Sequence, residues 1–212
     1  MYVPQHFEET RVAVLHALIQ RHPFAALVTR TAGGLEANHL PLEVDPEPAP
    51  FGTLLGHVAR SNPVWRELAS GGEGLAVFQG PHGYVSPGWY PSKAESGRVV
   101  PTWNYAVVHA HGPLRAIEDP DWLRALVERL TRRHEAGRAQ PWQVADAPPD
   151  YVAAMLRGIV GIEMRIERLV GKWKLSQNRA RPDREGVIAA LTEAASPGAA
   201  ELAEQMRDTL EG

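Results

Sequence analysis

The chain has 212 residues and a formal net charge of −3, and its 44% hydrophobic and 22% charged residues are ordinary for a globular protein. It contains no cysteine, which excludes disulfides, thiolate metal sites and a cysteine nucleophile. No apolar stretch is long enough to cross a bilayer, and the first residues lack a signal sequence, so we expect a soluble, cytoplasmic protein without membrane contact.

In the first half of the chain, short strands alternate with turns. Apolar residues at three- and four-residue spacing predict a helix over residues 7–21. Strands are expected over residues 24–29, 35–44, 53–58 and 75–78. Asn62-Pro63 supplies a helix cap and a first-turn proline, which predicts a short helix running to Leu68.

In the second half, the predicted elements are longer. Strands are expected over residues 102–117 and 160–166, the second because apolar and polar residues alternate there. Helices are expected over residues 121–135, 148–158, 184–195 and 199–210. The polar run 171–184 is predicted to lie outside regular structure.

The order of these elements predicts the fold class. About six strands, mostly joined by short turns and without βαβ alternation, indicate an α+β protein built on a small antiparallel β-barrel with peripheral helices. We expect one domain over residues 1–195, with residues 196–212 forming a C-terminal helix packed on it.

Four segments, residues 56–63, 78–90, 100–105 and 171–179, combine aromatic, amide, hydroxyl or basic side chains. Arginine, lysine and hydroxyl groups are the donors that a phosphate needs, and tryptophans offer ring surface. Each segment also has an ordinary explanation, such as a core aromatic, a solvated charge or a helix cap. Composition alone therefore indicates an anion-binding pocket without naming its ligand.

The motifs are more specific when they are taken in order. GHVARSNP, FQGPHGYVSPGWY, VPTWNYAVVHAHG and IVGIEMRIERLVGKWKLSQNR, after the opening MYVPQHF, resemble the PaiB-type FMN-binding negative transcriptional regulators over roughly residues 1–195. The resemblance implies a split β-barrel of the flavin-reductase or pyridoxine-phosphate-oxidase kind. It also implies a homodimer with two FMN sites at its interface.

The resemblance implies the cofactor-binding residues as well. Arg60 would contact the FMN phosphate, and the turn 84–89 would face the polar edge of the ring. The full implied set is His57, Arg60, Ser61, Asn62, Ser86, Trp89, Thr102, Trp103, Asn104, Lys172, Lys174, Ser176, Gln177 and Asn178.

Three functions stay open at this point. The first is a flavin-binding negative transcriptional regulator that acts on DNA directly or through another protein. The second is an FMN-dependent oxidoreductase that uses a nicotinamide or another small electron donor. The third is a dimeric scaffold that has lost its ligand.

Other signals are weaker. The helix over residues 199–210 is acidic, so it does not suit a DNA-recognition helix. His109 and His111 could face the same side of a strand, but no third ligand lies at a telling spacing, and we predict no metal site.

Overall fold

The structure is a computed structural model that describes residues 1–68, 72–194 and 196–211. The predicted helix end and domain boundary at Ala195, and the final residue of the predicted C-terminal segment, lie outside these residues. Within them, no helix combines the length and apolarity that crossing a bilayer requires.

The described residues form nine β-strands. They are β1 (Glu8–Glu9), β2 (Phe24–Thr31), β3 (Gly34–Pro41), β4 (Glu43–Asp45), β5 (Thr53–Ala59), β6 (Glu73–Val85), β7 (Thr102–Ile117), β8 (Ile159–Arg165) and β9 (Arg168–Lys174). The strands pair in the order β3-β2-β6-β7-β8-β5-β4, and β9 pairs with β1 and β7. Between the described residues of β3 and β4 no pairing closes the sheet.

The same residues form seven α-helices. They are α1 (Val12–Arg21), α2 (Val64–Leu68), α3 (Ser92–Ser96), α4 (Pro120–Glu135), α5 (Pro149–Arg157), α6 (Arg181–Glu193) and α7 (Pro197–Glu211). The predicted α+β class is confirmed, although the described sheet has more strands than expected.

The structure departs from the sequence-based elements in several places. Glu8–Glu9 form β1 within the predicted helix over 7–21, which begins only at Val12, and the predicted strand over 35–44 is divided into β3 and β4.

Two longer strands differ as well. Residues 168–174 form β9, because the polar run can pair along its backbone with β1, where Glu8 lies opposite Lys172. Strand β6 continues to Val85 through residues that suggest a turn. Gly80 fits an extended strand here because a Cβ would lie 2.9 Å from Leu18 Cδ1 and 3.2 Å from the Ala106 carbonyl oxygen. The glycine therefore permits close packing and does not mark a turn.

The Cα positions group into two compact units, and β6 and β7 each contribute residues to both. Unit 1 comprises Met1–Leu18, Gln79–His109 and Val170–Gly212, and unit 2 comprises Ile19–Phe78 and Ala110–Leu169.

In unit 2, β2 pairs with β3 along its whole length, and β5 pairs with β4 and β8. Helices α4 and α5 carry a small core around Leu123, Val144, Val152 and Leu156. In unit 1, α6 and α7 pack through buried apolar residues such as Leu202 and Met206 around Leu175, which follows β9 directly. The last helix thus helps to fix the segment immediately after β9.

Candidate functional site

The segment that leaves β9 makes a tight turn with an uncommon backbone conformation. Among the described non-glycine residues, Ser176 alone has a positive φ, at 65°. The Gln177 side chain stabilises the turn, since its amide oxygen accepts a hydrogen bond from the Leu175 N–H (2.7 Å) and its amide nitrogen donates to the Trp173 carbonyl (2.6 Å). Non-glycine residues in this region of φ are strained and tend to occur at functional sites.

Buried hydrogen bonds hold Ser176 in place. Asn104, on β7, is fully buried, and its side-chain nitrogen donates to Ser176 Oγ at 2.9 Å. The Ser176 hydroxyl donates back to Asn104 Oδ1 at 3.2 Å. The Asn104 amide also lies 3.5 Å from the sulfur of Met206 on α7. The strained turn is therefore fixed to β7 by a reciprocal pair of hydrogen bonds between two buried side chains.

A cavity of about 150 Å³ lies beside this turn, and we call it the anion cavity. It combines two cationic side chains with amide and hydroxyl groups, and none of its lining residues is acidic. The lining residues are Phe7, Val100, Pro101, Thr102, Asn104, Lys174, Ser176, Asn178 and Arg179.

The two cations of the anion cavity are held by neutral groups. The Lys174 ammonium group donates to the Thr102 hydroxyl and, at 2.6 Å, to the Trp103 carbonyl. Burial, and secondly the charge of Lys172, lower the pKa of Lys174. The Arg179 guanidinium carbon lies 5.0 Å from the centre of the Tyr90 ring. With no carboxylate in the lining, both charges are available to an anionic ligand.

An exposed aromatic cluster neighbours the anion cavity along β7. The Trp103 ring stacks on His82 with 5.9 Å between ring centres, and its indole N–H donates to His82 Nδ1 at 3.2 Å. Tyr84 meets Trp103 edge to face at 6.3 Å. Trp103 is 49% exposed and Tyr84 is 50% exposed. The cluster offers an open ring surface to a planar ligand or to another protein surface.

Five predicted site residues of unit 1 line the anion cavity, and the other five lie elsewhere in that unit. Lys172 is buried, with its ammonium group donating to the Tyr2 carbonyl at 3.0 Å and lying over the Tyr2 and Tyr105 rings. Ser86 caps a short 3-10 turn, and Trp89 packs on the core formed by α6 and α7. Gln177 supports the turn and Trp103 belongs to the aromatic cluster.

The remaining four predicted residues lie in unit 2. The Arg60 guanidinium donates to the carbonyl oxygens of residues 157 (2.7 Å) and 159 (3.2 Å) and to the Glu118 carboxylate (2.5 Å). Asn62 caps α2 by accepting from the backbone N–H of residue 64 at 3.0 Å. Ser61 is exposed in the turn before α2, and His57 is half-buried on β5. Each of these side chains thus has an observed place in unit 2, and their flavin role stays a prediction.

Four lining residues of the anion cavity are absent from the predicted set, namely Phe7, Val100, Pro101 and Arg179. Arg179 ends the 171–179 segment that the sequence indicates for the flavin site, but it is not among the individually predicted cofactor-binding residues. Its position at the end of a segment that contains Gly171 and two lysines was the sequence signal that could have indicated a role in binding an anion. Phe7 carries no chemical signal, and it reaches the cavity only because β1 pairs with β9.

The chemistry of the anion cavity is that of binding rather than bond breaking. Two cations, one hydroxyl pair and two amides can surround a phosphate and satisfy its oxygens. No residue of the lining is a paired nucleophile and base. The fit to a phosphate-bearing ligand therefore rests on the donor set.

Comparison with known proteins gives a family and a fold. The family model described as "Putative FMN-binding domain" matches residues 1–168. "Protease synthase and sporulation protein PAI 2" of Bacillus subtilis is 35% identical over 210 residues, which are 99% of this chain and 98% of that protein. An uncharacterized protein of Emericella nidulans is 34% identical over 223 residues, covering 89% of each chain.

Two solved structures share the fold at low sequence identity. The FAD and heme binding protein from Mycobacterium smegmatis has a TM-score of 0.59 and 19% identity, covering 86% of this chain and 79% of that one. The flavocytochrome Anf3 from Azotobacter vinelandii has a TM-score of 0.59 and 11% identity, covering 85% and 74%.

Proposed function

Because this chain belongs to the PaiB-type family of FMN-binding proteins, we propose that its anion cavity holds the FMN phosphate. This proposal replaces the predicted phosphate contact of Arg60, whose guanidinium is already paired with the Glu118 carboxylate. The family and the cofactor, both predicted from the motifs, are confirmed. The observation that carries the proposal is the convergence of Lys174, Arg179, Asn178 and Thr102 on one acid-free cavity. Its volume of about 150 Å³ suits a phosphate and the adjoining end of a ribityl chain, not a three-ring system.

Different residues of the cavity would contact the phosphate in different ways. Lys174 and Arg179 would neutralise the phosphate dianion, and Asn178 and Thr102 would donate hydrogen bonds to its oxygens. Charge-assisted hydrogen bonds of this kind contribute about 1.5–3 kcal/mol each. The buried Asn104 does not need to touch the ligand, since it keeps Ser176 in the conformation that presents the turn.

The aromatic cluster would supply surface for the isoalloxazine ring. Trp103 follows Thr102 directly and gives its own carbonyl to Lys174, so the cluster and the cavity are joined through one strand. When bound, FMN supplies reversible electron storage, and the protein supplies its position and surroundings. The open face of Trp103 leaves room for a second surface to cover the ring.

We further propose that this second surface is another copy of the chain. Trp103, Tyr84 and Val100 expose large apolar side chains on one unit, and Val100 also lines the anion cavity. Exposed apolar groups next to a ligand site are typical of an interface that completes the site. A homodimer would bury them and enclose the flavin.

The output proposed for the FMN-loaded dimer is negative regulation of transcription. Support comes from the near full-length similarity to the Bacillus subtilis protein, whose name refers to protease synthesis and sporulation. In unit 1, Arg181 pairs with Glu185 on the same helix and Arg184 donates to Thr209 of α7, so each of these two arginines already has a partner within the unit. Contact with DNA is therefore expected to be weak or to pass through a partner protein.

The proposed function is tested with the purified protein in its FMN-loaded and FMN-free forms. Each form is mixed with DNA from upstream of its own gene at low and moderate salt, because phosphate contacts weaken as salt rises. A regulator should show FMN-dependent, salt-sensitive binding. No binding in either form would contradict direct regulation. Bleaching of the flavin absorbance by NADH or NADPH without oxygen would instead support the oxidoreductase function.

A further inference from the structure

The helical layer of unit 2 contains a second cavity with different chemistry. It lies between α4 and α5, has a volume of about 260 Å³, and is lined mainly by apolar and aromatic side chains. None of its lining residues is lysine, arginine, aspartate or glutamate. The anion cavity of unit 1 has the opposite character, so this cleft is not a site for phosphate.

Large apolar side chains around the cleft are left half in water. Trp142 is 48% exposed, Tyr151 is 55% exposed and Met155 is 51% exposed, and all three line the cleft. Soluble proteins tolerate single exposed apolar residues, but a group around one cavity marks a binding surface. A ligand in the cleft would remove these three side chains from water.

One polar side chain in the lining of this apolar cleft has a ring nitrogen without a hydrogen bond. His57, on β5, lines the cleft, and its buried Nδ1 has no hydrogen-bond partner among the described residues. Burial lowers the pKa of His57, so the ring is neutral at neutral pH. A neutral imidazole carries one donor and one acceptor, and buried polar groups are normally paired. The Thr131 hydroxyl of α4 lies in the same lining.

We propose that this cleft binds an uncharged, planar aromatic molecule of two fused rings that carries one hydrogen-bonding group. A cavity of about 150 Å³ can hold benzene, so about 260 Å³ admits a second ring. A charged ligand would bring an unpaired charge into an apolar site, which is unfavourable. The rings of Trp142 and Tyr151 suit a flat partner, and His57 supplies its hydrogen bond. This site goes beyond the proposed function, because it needs neither FMN nor the anion cavity.

The first test titrates the full-length, FMN-loaded protein with indole and follows backbone amide shifts by NMR. Indole has two fused rings and one N–H, so it should cause saturable shifts around the cleft with a Kd near or below about 1 mM, within the range of small ligands. Ala147→Phe should fill the cleft and abolish these shifts. Ala145→Phe changes an exposed residue that does not line the cleft and should leave them unchanged.

The second test separates shape from hydrogen bonding. His57→Phe keeps a ring at the cleft and should weaken indole about 2- to 10-fold through the lost hydrogen bond, while naphthalene binding stays within about 2-fold. Indole-3-acetate should bind more weakly than indole to the native protein. If Ala147→Phe fails to fold, this comparison decides the matter alone.

Four results would overturn the proposal. They are the absence of saturable indole shifts in the native protein, unchanged binding in a folded Ala147→Phe variant, indole affinity in His57→Phe that is unchanged or falls no more than naphthalene affinity, and tighter binding of indole-3-acetate than of indole. FMN retention is measured in every sample, so a failure of the flavin site is recognised separately.

Discussion

Replacement of Ser176 tests whether the turn beside the anion cavity is strained. Ser176→Ala removes the hydroxyl that pairs with the buried Asn104, and leaving that amide unsatisfied costs about 1–3 kcal/mol. Ser176→Gly loses the same hydrogen bonds. Glycine, however, adopts a φ of 65° freely, whereas an alanine in the left-handed region costs about 1–2 kcal/mol.

Ser176→Gly should therefore be more stable than Ser176→Ala, whereas at most positions the alanine variant is the more stable of the two. Glycine gives the unfolded chain more freedom and elsewhere lowers stability by about 0.5–1 kcal/mol relative to alanine. Subtracting this from the relieved strain leaves Ser176→Gly more stable than Ser176→Ala by about 0.75 kcal/mol at the middle of both ranges. Urea unfolding of both variants measures the difference in the free energy of unfolding.

A matched pair at Ser96 provides the control. Ser96 lies in α3, where alanine should be more stable than glycine because helix propensity decides. If Ser176→Ala were as stable as Ser176→Gly while the Ser96 pair behaved normally, the backbone of Ser176 would not be strained. The argument that the turn is held in a demanding conformation for a ligand would then fail.

Four further predictions concern the two units separately. The lowered pKa of Lys174 means that this side chain loses its charge at a lower pH than an ordinary lysine does. As pH is raised, FMN affinity should therefore begin to fall earlier in the native protein than in Lys174→Arg, which flavin fluorescence measures. Trp103→Ser should weaken self-association in sedimentation equilibrium, since it removes the largest exposed ring of the proposed interface. Gly161→Ala should lower the free energy of unfolding by about 1–3 kcal/mol, because a Cβ there would lie 2.3 Å from the Trp122 ring. Burial lowers the pKa of His57 below 6.5, so as pH falls the histidine is protonated in the unfolded chain before it is protonated in the folded protein. The free energy of unfolding should therefore decrease as pH falls from about 6.5 towards the lower pKa of the folded state. His57→Phe should make the free energy of unfolding less dependent on pH in this range, measured by urea unfolding at several pH values.

The sequence predicted elements well where one physical signal dominated. Strand β7 has the predicted bounds although Gly112 and Pro113 lie within it, because burial alternates from Val108 to Arg115 as an extended strand requires. Strand β9 was missed because its polar residues, including Lys172, read as a loop. Their burial depends on the pairing with β1 and on the Tyr2 and Tyr105 rings, which no local pattern reveals.

The same distinction applies to the candidate site. Motif position singled out Thr102, Asn104 and the residues after Lys172, and the structure brings several of them together around one cavity of unit 1. Motif position did not distinguish a side chain that lines the cavity from one that supports it. Gln177 closes hydrogen bonds within the turn, whereas Arg179, two residues later, lines the cavity. That difference follows from the left-handed Ser176 between β9 and Arg179, and a positive φ at serine has no sequence signature.

The central claim is that the anion cavity binds the phosphate of FMN, and a paired titration with FMN and riboflavin tests it most directly. Riboflavin lacks the phosphate, so Lys174→Met should weaken FMN by about 10-fold or more, as expected for one charge-assisted contact, while riboflavin affinity stays nearly unchanged. Lys93→Met, which removes the same charge from the short helix α3, should leave both affinities at the native value. Equal loss of FMN and riboflavin affinity in Lys174→Met, or no loss of either, would contradict the assignment of the phosphate to this cavity.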